Sequence, residues 1–330
     1  CEVNGFNRLE IIGADRHVFL DRIICGNVTK RDGRVGLGYL LNQHGMIKSE
    51  ATVANLPASD RGPARVWYGS AAASETHDRD WLTAHIRADE DVHIKSLTND
   101  QTTLVLAGPK ARDVLSSCAR GDWSQKAFPW LSVREAFVGF APSTVLAVSF
   151  SGELAYEIHV PNASLYAAYL VLREAGKAHG MQLFGARAVD AMRIEKGFLH
   201  WKADLLTEFD PFETSLDRFV RLEKGDFIGR DALVQRQAKG PSKRLVTLEI
   251  ATTEAPAHSG ASVMMDDKVV GTITSGAWGH RVDKNLAYAF VDLVVAEPKV
   301  MLEVDMCGML VSATVIQASP YDLSLSLIHI

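Results

Sequence analysis

Apolar residues recur along the chain with two different spacings, which predict two structurally different regions. Before residue 240, period-two stretches typical of strands alternate with helical stretches such as Leu165 to His179. These elements do not follow a regular strand–helix–strand order, which favours an α+β class over a doubly wound sheet. Beyond that point only short strands follow, with Asp266-Asp267 and Cys307-Gly308 marking two-residue hairpin turns. The second region therefore predicts a small β barrel or sandwich.

A polar stretch from Gln237 to Lys243 separates the two regions. It contains Gly240-Pro241, a pair that interrupts both helices and strands. We therefore predict two domains, residues 1–239 and residues 240–330. The first is expected to lack its N-terminal part, because the chain has no initiator Met and begins in a strand-like stretch. The apolar ending from Ser324 to Ile330 is interpreted either as a strand or as a non-native addition.

Net charge, the length of apolar runs and cysteine spacing argue against several classes of protein. The 330 residues carry a formal net charge of −5, so the sequence predicts no broad basic surface for nucleic acid. No run approaches the roughly 18 apolar residues of a membrane-spanning helix. The four cysteines are far apart and form no CxxC pair, which argues against a disulfide framework or a zinc site. We expect a cytoplasmic protein, or one of the mitochondrial matrix in a eukaryote, without a metal site.

The motifs of several common enzyme classes are missing from the sequence. There is no GxGxxG dinucleotide fingerprint, no GxxxxGK[ST] phosphate loop, no GxSxG nucleophile motif and no HExxH zinc motif. The chain therefore predicts no flavin or nicotinamide site of its own.

Two acidic residues occupy positions that acids usually avoid. Glu195 falls in the last turn of a helix predicted within Phe184 to Trp201, where the helix dipole disfavours an anion. Glu50 falls inside the predicted strand Met46 to Leu56, and acids are depleted in strand interiors. The pattern alone favours ordinary alternatives, a solvated helix face for Glu195 and an outward-facing edge position for Glu50.

A series of short motifs follows the order found in one known family. They are FLDR (19–22), the GMI hairpin (45–47) before Glu50, SAAASETHDRDWL (70–82), LAGP (106–109), SGE (151–153), YEI (156–158), RIEKG (193–197), HW (200–201), ADL (203–205), PFE through Leu216, FIGR (227–230), and two barrel segments (270–276 and 284–287). The chain thus resembles the glycine cleavage T-protein family of folate-binding aminomethyltransferases, in the form that makes up the C-terminal half of dimethylglycine and sarcosine dehydrogenases. Residues 208–216, EFDPFETSL, differ from the KGCYxGQE-type segment of the related iron–sulfur assembly factors.

The resemblance implies a fold and a set of site residues. The fold would be α+β, with three lobes around a central folate site and a C-terminal β barrel as the last lobe. Glu195 would accept the pterin N–H and 2-amino group as a bidentate pair. Glu50 would orient the folate or relay a proton where its N5 attacks the one-carbon unit. Arg244 would bind the acidic tail, and Tyr156 and Trp278 would wall the cavity. The alternatives are a surface cation for Arg244 and core packing for the two aromatics.

The resemblance also implies an activity. It is tetrahydrofolate-dependent one-carbon transfer, forming methylene-tetrahydrofolate from an iminium derived from an N-methyl amine. FAD would belong only to an N-terminal flavin domain outside this chain. The implied partners are folate, the small one-carbon donor and that flavin domain, with no nucleic acid and no membrane. Three alternatives stay open: a stand-alone aminomethyltransferase acting with a lipoyl carrier, a folate-dependent demethylase of another donor, and a non-catalytic folate-binding module.

Overall fold

Two five-stranded antiparallel sheets and a closed barrel form three lobes in the computed structural model, which describes residues 1–3 and 5–329. Strand β1 (Glu2–Val3) lies on the edge of the second sheet, ahead of all the elements of the first lobe.

The first lobe joins five strands to two helices. Its elements are β2 (Phe6–Ile12), α1 (Arg16–Ile23), β3 (Val35–Leu41), β4 (Ile47–Leu56), β5 (Arg65–Ala71), α2 (Glu75–Ala84) and β6 (His93–Ser96). The strands are ordered β3-β4-β5-β2-β6. Successive residues of a strand point to opposite faces. Ala51 and Val53 of β4 therefore enter the core of this lobe with Leu9 and Phe19, and Glu50 lies on the other face of the sheet.

The second lobe has the same general construction. Its remaining elements are β7 (Gln101–Ala107), α3 (Ala111–Cys118), β8 (Val133–Val138), β9 (Ala141–Leu146), β10 (Ala155–Pro161) and α4 (Leu165–Lys177). The strands are ordered β1-β7-β10-β9-β8. Tyr156 and Ile158 belong to the core that this sheet forms with α3 and α4. Val133 and Leu146 instead pack against Trp67 of the first lobe, so the two sheets meet face to face.

Two helices and an irregular stretch lead from the second lobe to the barrel. The helices are α5 (Ala186–Glu195) and α6 (Arg230–Lys239). Between them, the carbonyl of Phe209 accepts a hydrogen bond of 3.0 Å from the backbone N–H of Ile47, at the start of β4. The Phe209 ring stacks on Phe290 of the barrel with 3.6 Å between the ring centroids. This stretch therefore joins the strand that carries Glu50 to the barrel.

The C-terminal region forms a closed barrel. Its strands are β11 (Lys243–Ile250), β12 (Ser262–Met265), β13 (Lys268–Gly279), β14 (Lys284–Asp292), β15 (Met301–Asp305) and β16 (Leu310–Ile316), closed in the order β11-β14-β13-β12-β15-β16. Both predicted hairpin turns are present. Asp266 and Asp267 have φ of 49° and 59°, and Cys307 and Gly308 have 58° and 93°, the left-handed values of a type I′ turn. The predicted α+β class with a C-terminal barrel is confirmed, and the sandwich alternative is wrong.

The sequence pattern suggested a strand in two segments where the structure has something else. It placed a strand at residues 145–150, whereas the structure has a hairpin of β8 and β9 that ends at Leu146. Both faces of this hairpin are covered, one by α4 and one by the first lobe, so clear period-two alternation is missing. Near the C-terminus, Ser326–His329 form a 3₁₀ turn and not a strand. The last residue of that apolar segment, Ile330, lies outside the described residues.

The predicted boundary at residue 240 falls between a helix and a strand. Helix α6 ends at Lys239, Gly240 takes a φ of 80°, and β11 begins at Lys243. The division into residues 1–239 and 240–330 remains a prediction. Among the described residues, no helix combines the length and the apolar character needed to cross a bilayer.

Candidate functional site

Glu195 is the last residue of α5 and lies against the barrel. Its side chain is 1% exposed. A Cβ placed on Gly279, near the end of β13, would come 3.0 Å from Cγ of Glu195. Glycine at this position therefore lets the β13–β14 hairpin approach the carboxylate closely. The solvated-face alternative for Glu195 is wrong, because the residue is buried between α5 and the barrel.

The Glu195 carboxylate accepts hydrogen bonds at both oxygens. Oε1 accepts from the backbone N–H of Arg281 at 2.6 Å and from that of Val282 at 3.3 Å. Oε2 accepts from Nε of the Arg281 side chain. A buried carboxylate is costly unless it is paired and hydrogen-bonded. The β13–β14 hairpin supplies two backbone N–H donors and the charged Arg281 side chain. The Glu195 carboxylate is therefore firmly held.

Arg281 connects three parts of the molecule at this point. Its Nη1 donates to Oε1 of Glu153 in the second lobe at 2.5 Å, and its Nη2 donates to the carbonyl of Met192 in α5 at 2.8 Å. The guanidinium lies 4.2 Å from the centroid of the Tyr321 ring, in the C-terminal segment. The Arg281 side chain is only 19% exposed. Charge-assisted hydrogen bonds and an aromatic face together make this a well-ordered guanidinium site.

A second buried ion pair fixes α5 to the barrel. Nη1 of Arg193 donates to Oδ2 of Asp204 at 2.5 Å, and these side chains are 1% and 0% exposed. The other oxygen of Asp204 accepts from the hydroxyls of Thr274 and Ser275 on β13 at 2.5 and 2.6 Å. The Tyr288 hydroxyl on β14 donates to the carbonyl of Ile194 at 2.9 Å. These contacts hold the end of α5, and with it Glu195, in a fixed position.

Glu50 lies on β4, directly across the hairpin from Tyr39 on β3. The Tyr39 hydroxyl donates to Oε1 of Glu50 at 3.3 Å. Desolvation by burial raises the pKa of Glu50 to about 7, although the hydrogen bond from Tyr39 acts in the opposite direction. Glu50 nevertheless keeps partial solvent access. Strand β4 lies between β3 and β5, but its pairs with β5 begin at Thr52, so Glu50 is paired only with Tyr39 of β3. A carboxyl group that titrates near neutral pH can both accept and return a proton.

Arg244 lies at the start of the barrel on β11 and is half-buried. Within the described part of the chain it forms no ion pair, and its buried Nε has no hydrogen-bond partner. Such a cation is available for an anionic ligand, as the predicted role requires.

The two aromatic residues occupy different surroundings from the acids. Tyr156 is fully buried in the second lobe, where its ring stacks on Phe128 with 6.0 Å between centroids. This is the core-packing alternative, and the structure does not bring Tyr156 to either acid. Trp278 is half-buried on β13 beside Gly279. Because side chains alternate along a strand, Trp278 points away from the face that Gly279 turns toward Glu195.

Two residues of this region were missed by the sequence reasoning. Tyr39 could have been found by counting outward from the hairpin turn, but a register shift between Leu40 and Leu41 makes that count unreliable. Arg281 gave no signal, because it meets Glu195 across 86 positions of sequence. No group of three or more His, Cys, Asp or Glu residues able to hold a metal ion occurs among residues 1–3 and 5–329.

Comparisons with known proteins agree with this architecture. The family model described as the GCVT N-terminal domain matches residues 1–224, and the one described as the glycine cleavage T-protein C-terminal barrel domain matches residues 243–322. The mitochondrial dimethylglycine dehydrogenase of Rattus norvegicus is 33% identical over 318 residues, covering 96% of this chain and 36% of that protein. The aminomethyltransferase of Thermoanaerobacter pseudethanolicus is 26% identical, covering 90% of this chain and 78% of that one.

A solved structure shares the fold. The glycine cleavage system aminomethyltransferase T from Bartonella henselae superposes with a TM-score of 0.85, covering 98% of this chain and 86% of that chain at 20% identity. The chain spans only about a third of the length of the dimethylglycine dehydrogenases that it matches, 36% in the rat and human proteins. Both family models together cover nearly the whole chain. The chain therefore belongs to the glycine cleavage T-protein family.

Proposed function

We propose that the chain carries out tetrahydrofolate-dependent one-carbon transfer, as the folate portion of an enzyme related to dimethylglycine and sarcosine dehydrogenases. The one-carbon unit would come from an iminium derived from an N-methyl amine. The observation that carries the proposal is the buried Glu195 carboxylate at the junction of α5 and the barrel. It already accepts N–H donors at both oxygens, and the edge of a pterin presents N–H and amino donors.

The residues at hand fit a folate in three respects. Glu195 offers two acceptor oxygens, Arg244 offers a cation without an ion-pair partner among the described residues, and Glu50 offers a carboxyl group that titrates near pH 7. Bound tetrahydrofolate would supply a nucleophilic nitrogen. Glu195 would hold the pterin edge, and Arg244 would attract the carboxylates of the tail.

Glu50 would perform the proton chemistry. Its pKa of about 7 leaves comparable amounts of the acid and the carboxylate near neutral pH. The carboxylate can therefore take the proton released when the folate nitrogen attacks an electrophilic carbon, and the acid can return it. Tyr39, which donates to the same oxygen at 3.3 Å, would keep the carboxylate oriented during this exchange.

The wider context is also part of the proposal. Relatives such as dimethylglycine dehydrogenase are about three times as long as the matched region, so a flavin domain that forms the iminium would lie outside this chain. The related dimethylglycine dehydrogenase of Rattus norvegicus and sarcosine dehydrogenase of Mus musculus are mitochondrial proteins. A mitochondrial matrix location in a eukaryote, or a cytoplasmic one otherwise, is accordingly proposed for this chain.

A stand-alone aminomethyltransferase is the second candidate. The match to the Thermoanaerobacter pseudethanolicus aminomethyltransferase covers 78% of that protein, so a chain of nearly this extent forms most of a transferase. The two candidates share the folate site and differ in the donor. Supplying the purified chain with tetrahydrofolate and either an N-methyl amine-derived iminium or an aminomethyl-lipoyl carrier separates them.

The test of catalysis uses formation of methylene-tetrahydrofolate from tetrahydrofolate and a secondary amine premixed with formaldehyde, corrected for the uncatalysed reaction. We expect catalysis by the parent chain and a loss of about 10²–10⁴-fold in rate for Glu50→Gln, with folate affinity nearly unchanged. Asp80→Asn, a change at an exposed position, is the matched control. Folate binding without any rate above background would instead indicate a non-catalytic folate-binding module.

A further inference from the structure

Arg281 presents Oε2 of Glu195 with one N–H of a guanidinium, a group that the edge of a pterin also contains. The pterin edge comprises a ring N–H, the carbon between two nitrogens and an exocyclic amino group, which together form a cyclic guanidine. The Arg281 guanidinium places its Nε against Oε2 of Glu195 and its Nη2 against the carbonyl of Met192. Its plane lies over an aromatic ring, that of Tyr321, at 4.2 Å. An aromatic face stabilises a guanidinium in this position by a cation–π interaction.

We propose that Arg281 is an internal substitute for the pterin and that folate binds by displacing its side chain from Glu195. This inference rests on the proposed folate function and adds a residue that sets the affinity and selectivity of the site. The Arg281 backbone N–H and that of Val282 both donate to Oε1, so this oxygen keeps its partners when the side chain leaves. Only the Oε2 position has to be refilled.

Displacement of Arg281 favours a ligand that can replace it, because the two carboxylates that lose the guanidinium are buried. Glu195 is 1% exposed, and Glu153, which pairs with Nη1 of Arg281 at 2.5 Å, is 17% exposed at its side chain. Uncompensated carboxylates in such positions are unfavourable. A ligand is therefore accepted only when it brings donors to Oε2 of Glu195. A ligand without an N–H or amino donor for Oε2 leaves the arginine in place.

Two cavities of the described chain lie away from Glu195. One of about 280 Å³ lies beside α4 and includes Tyr166 and Leu183 in its lining, and one of about 250 Å³ lies between the two sheets and includes Trp67 and His159. Neither is lined by Glu50 or Glu195. In this conformation the space next to Glu195 is filled by Arg281.

Displacing the Arg281 side chain costs free energy, so the apparent affinity for folate is lower than the affinity of the open site. A ligand that must bind a minor open state has its dissociation constant raised by the inverse of the population of that state. Calorimetric titration with 5-formyltetrahydrofolate should therefore show at least about ten-fold tighter binding for Arg281→Ala than for the parent chain. Glu153→Gln, which removes one partner of the guanidinium and leaves Arg281 present, should tighten binding by a smaller factor. Lys284→Ala, in the same hairpin but paired with Glu249 at 2.6 Å, should bind like the parent.

The outcomes separate this inference from the function on which it rests. Equal or weaker binding by Arg281→Ala and by Glu153→Gln, in samples with the parent's circular dichroism, would overturn the displacement and leave the folate function standing. Absence of binding by the parent and by every folded variant would overturn both. If Arg281→Ala does not fold, the Glu153→Gln result decides between them.

Discussion

The Tyr39 hydroxyl and the Glu50 carboxylate face each other across the β3–β4 hairpin, with 3.3 Å between Oη and Oε1. Burial raises the pKa of Glu50 to about 7, and the hydrogen bond from Tyr39 limits that rise because it stabilises the charged form. Burial and the neighbouring Glu50 also raise the pKa of Tyr39, so the phenol remains a donor over the whole physiological range.

Removal of the phenol should raise the pKa of Glu50 further. In Tyr39→Phe the carboxylate loses a donor while its burial is unchanged, so the apparent pKa in the pH profile of one-carbon transfer should move above that of the parent. Tyr166→Phe, an exposed tyrosine on α4, is the control and should leave the profile unchanged. A Tyr39→Phe profile superimposable on that of the parent would show that this hydrogen bond does not tune Glu50.

Glu50 should also make stability depend on pH. Its pKa is about 7 in the folded chain and 4.5 for an unperturbed glutamate, so the folded state binds the proton more strongly than the unfolded state. Stability then falls as pH rises between these two values. Relative to the parent, Glu50→Gln should gain on the order of 1–3 kcal/mol in unfolding free energy on going from pH 4.5 to pH 8.

Urea unfolding at both pH values measures this difference. Glu254→Gln, at an exposed position in the barrel lobe, provides the reference for losing one surface carboxylate. If parent and Glu50→Gln changed in parallel between the two pH values, the raised pKa of Glu50 would be refuted.

The fold was largely predictable from the sequence, because its signals are local. The hairpin turns at Asp266-Asp267 and Cys307-Gly308 require left-handed backbone. Asp and Gly are frequent in such turns and therefore indicate them in a sequence. The β8–β9 hairpin was missed because it is covered on both faces and its period-two pattern is lost.

The site was only partly predictable. Glu50 and Glu195 stood out because acids are unusual in a strand interior and at a helix C-terminus. Arg281, the partner of Glu195, did not stand out in the sequence, because its contact with Glu195 depends on how the barrel docks on α5. Tyr156 looked equally suited to a cavity wall and to a core, and only the packing of β10 against α3 and α4 places it in the core.

The ion pair of Arg193 with Asp204 should matter for stability more than most single contacts. Asp204→Ala leaves the buried guanidinium without its main partner and removes the acceptor of Thr274 and Ser275. We expect a loss of about 3–5 kcal/mol in the free energy of unfolding, measured with urea. The double change Arg193→Met with Asp204→Leu should cost clearly less, since no buried charge is left unpaired. Equal losses in the single and double variants would contradict this account.

The role of Glu195 as the pterin ligand can be tested by calorimetric titration of the parent chain and Glu195→Gln with 5-formyltetrahydrofolate, with both samples shown to be folded. Glutamine keeps the size of the side chain but offers one acceptor oxygen and one amino group in place of two acceptors. Binding by the parent that becomes about 10–100-fold weaker in Glu195→Gln is the predicted result. Equal affinity of the two proteins would place the pterin elsewhere and contradict the account.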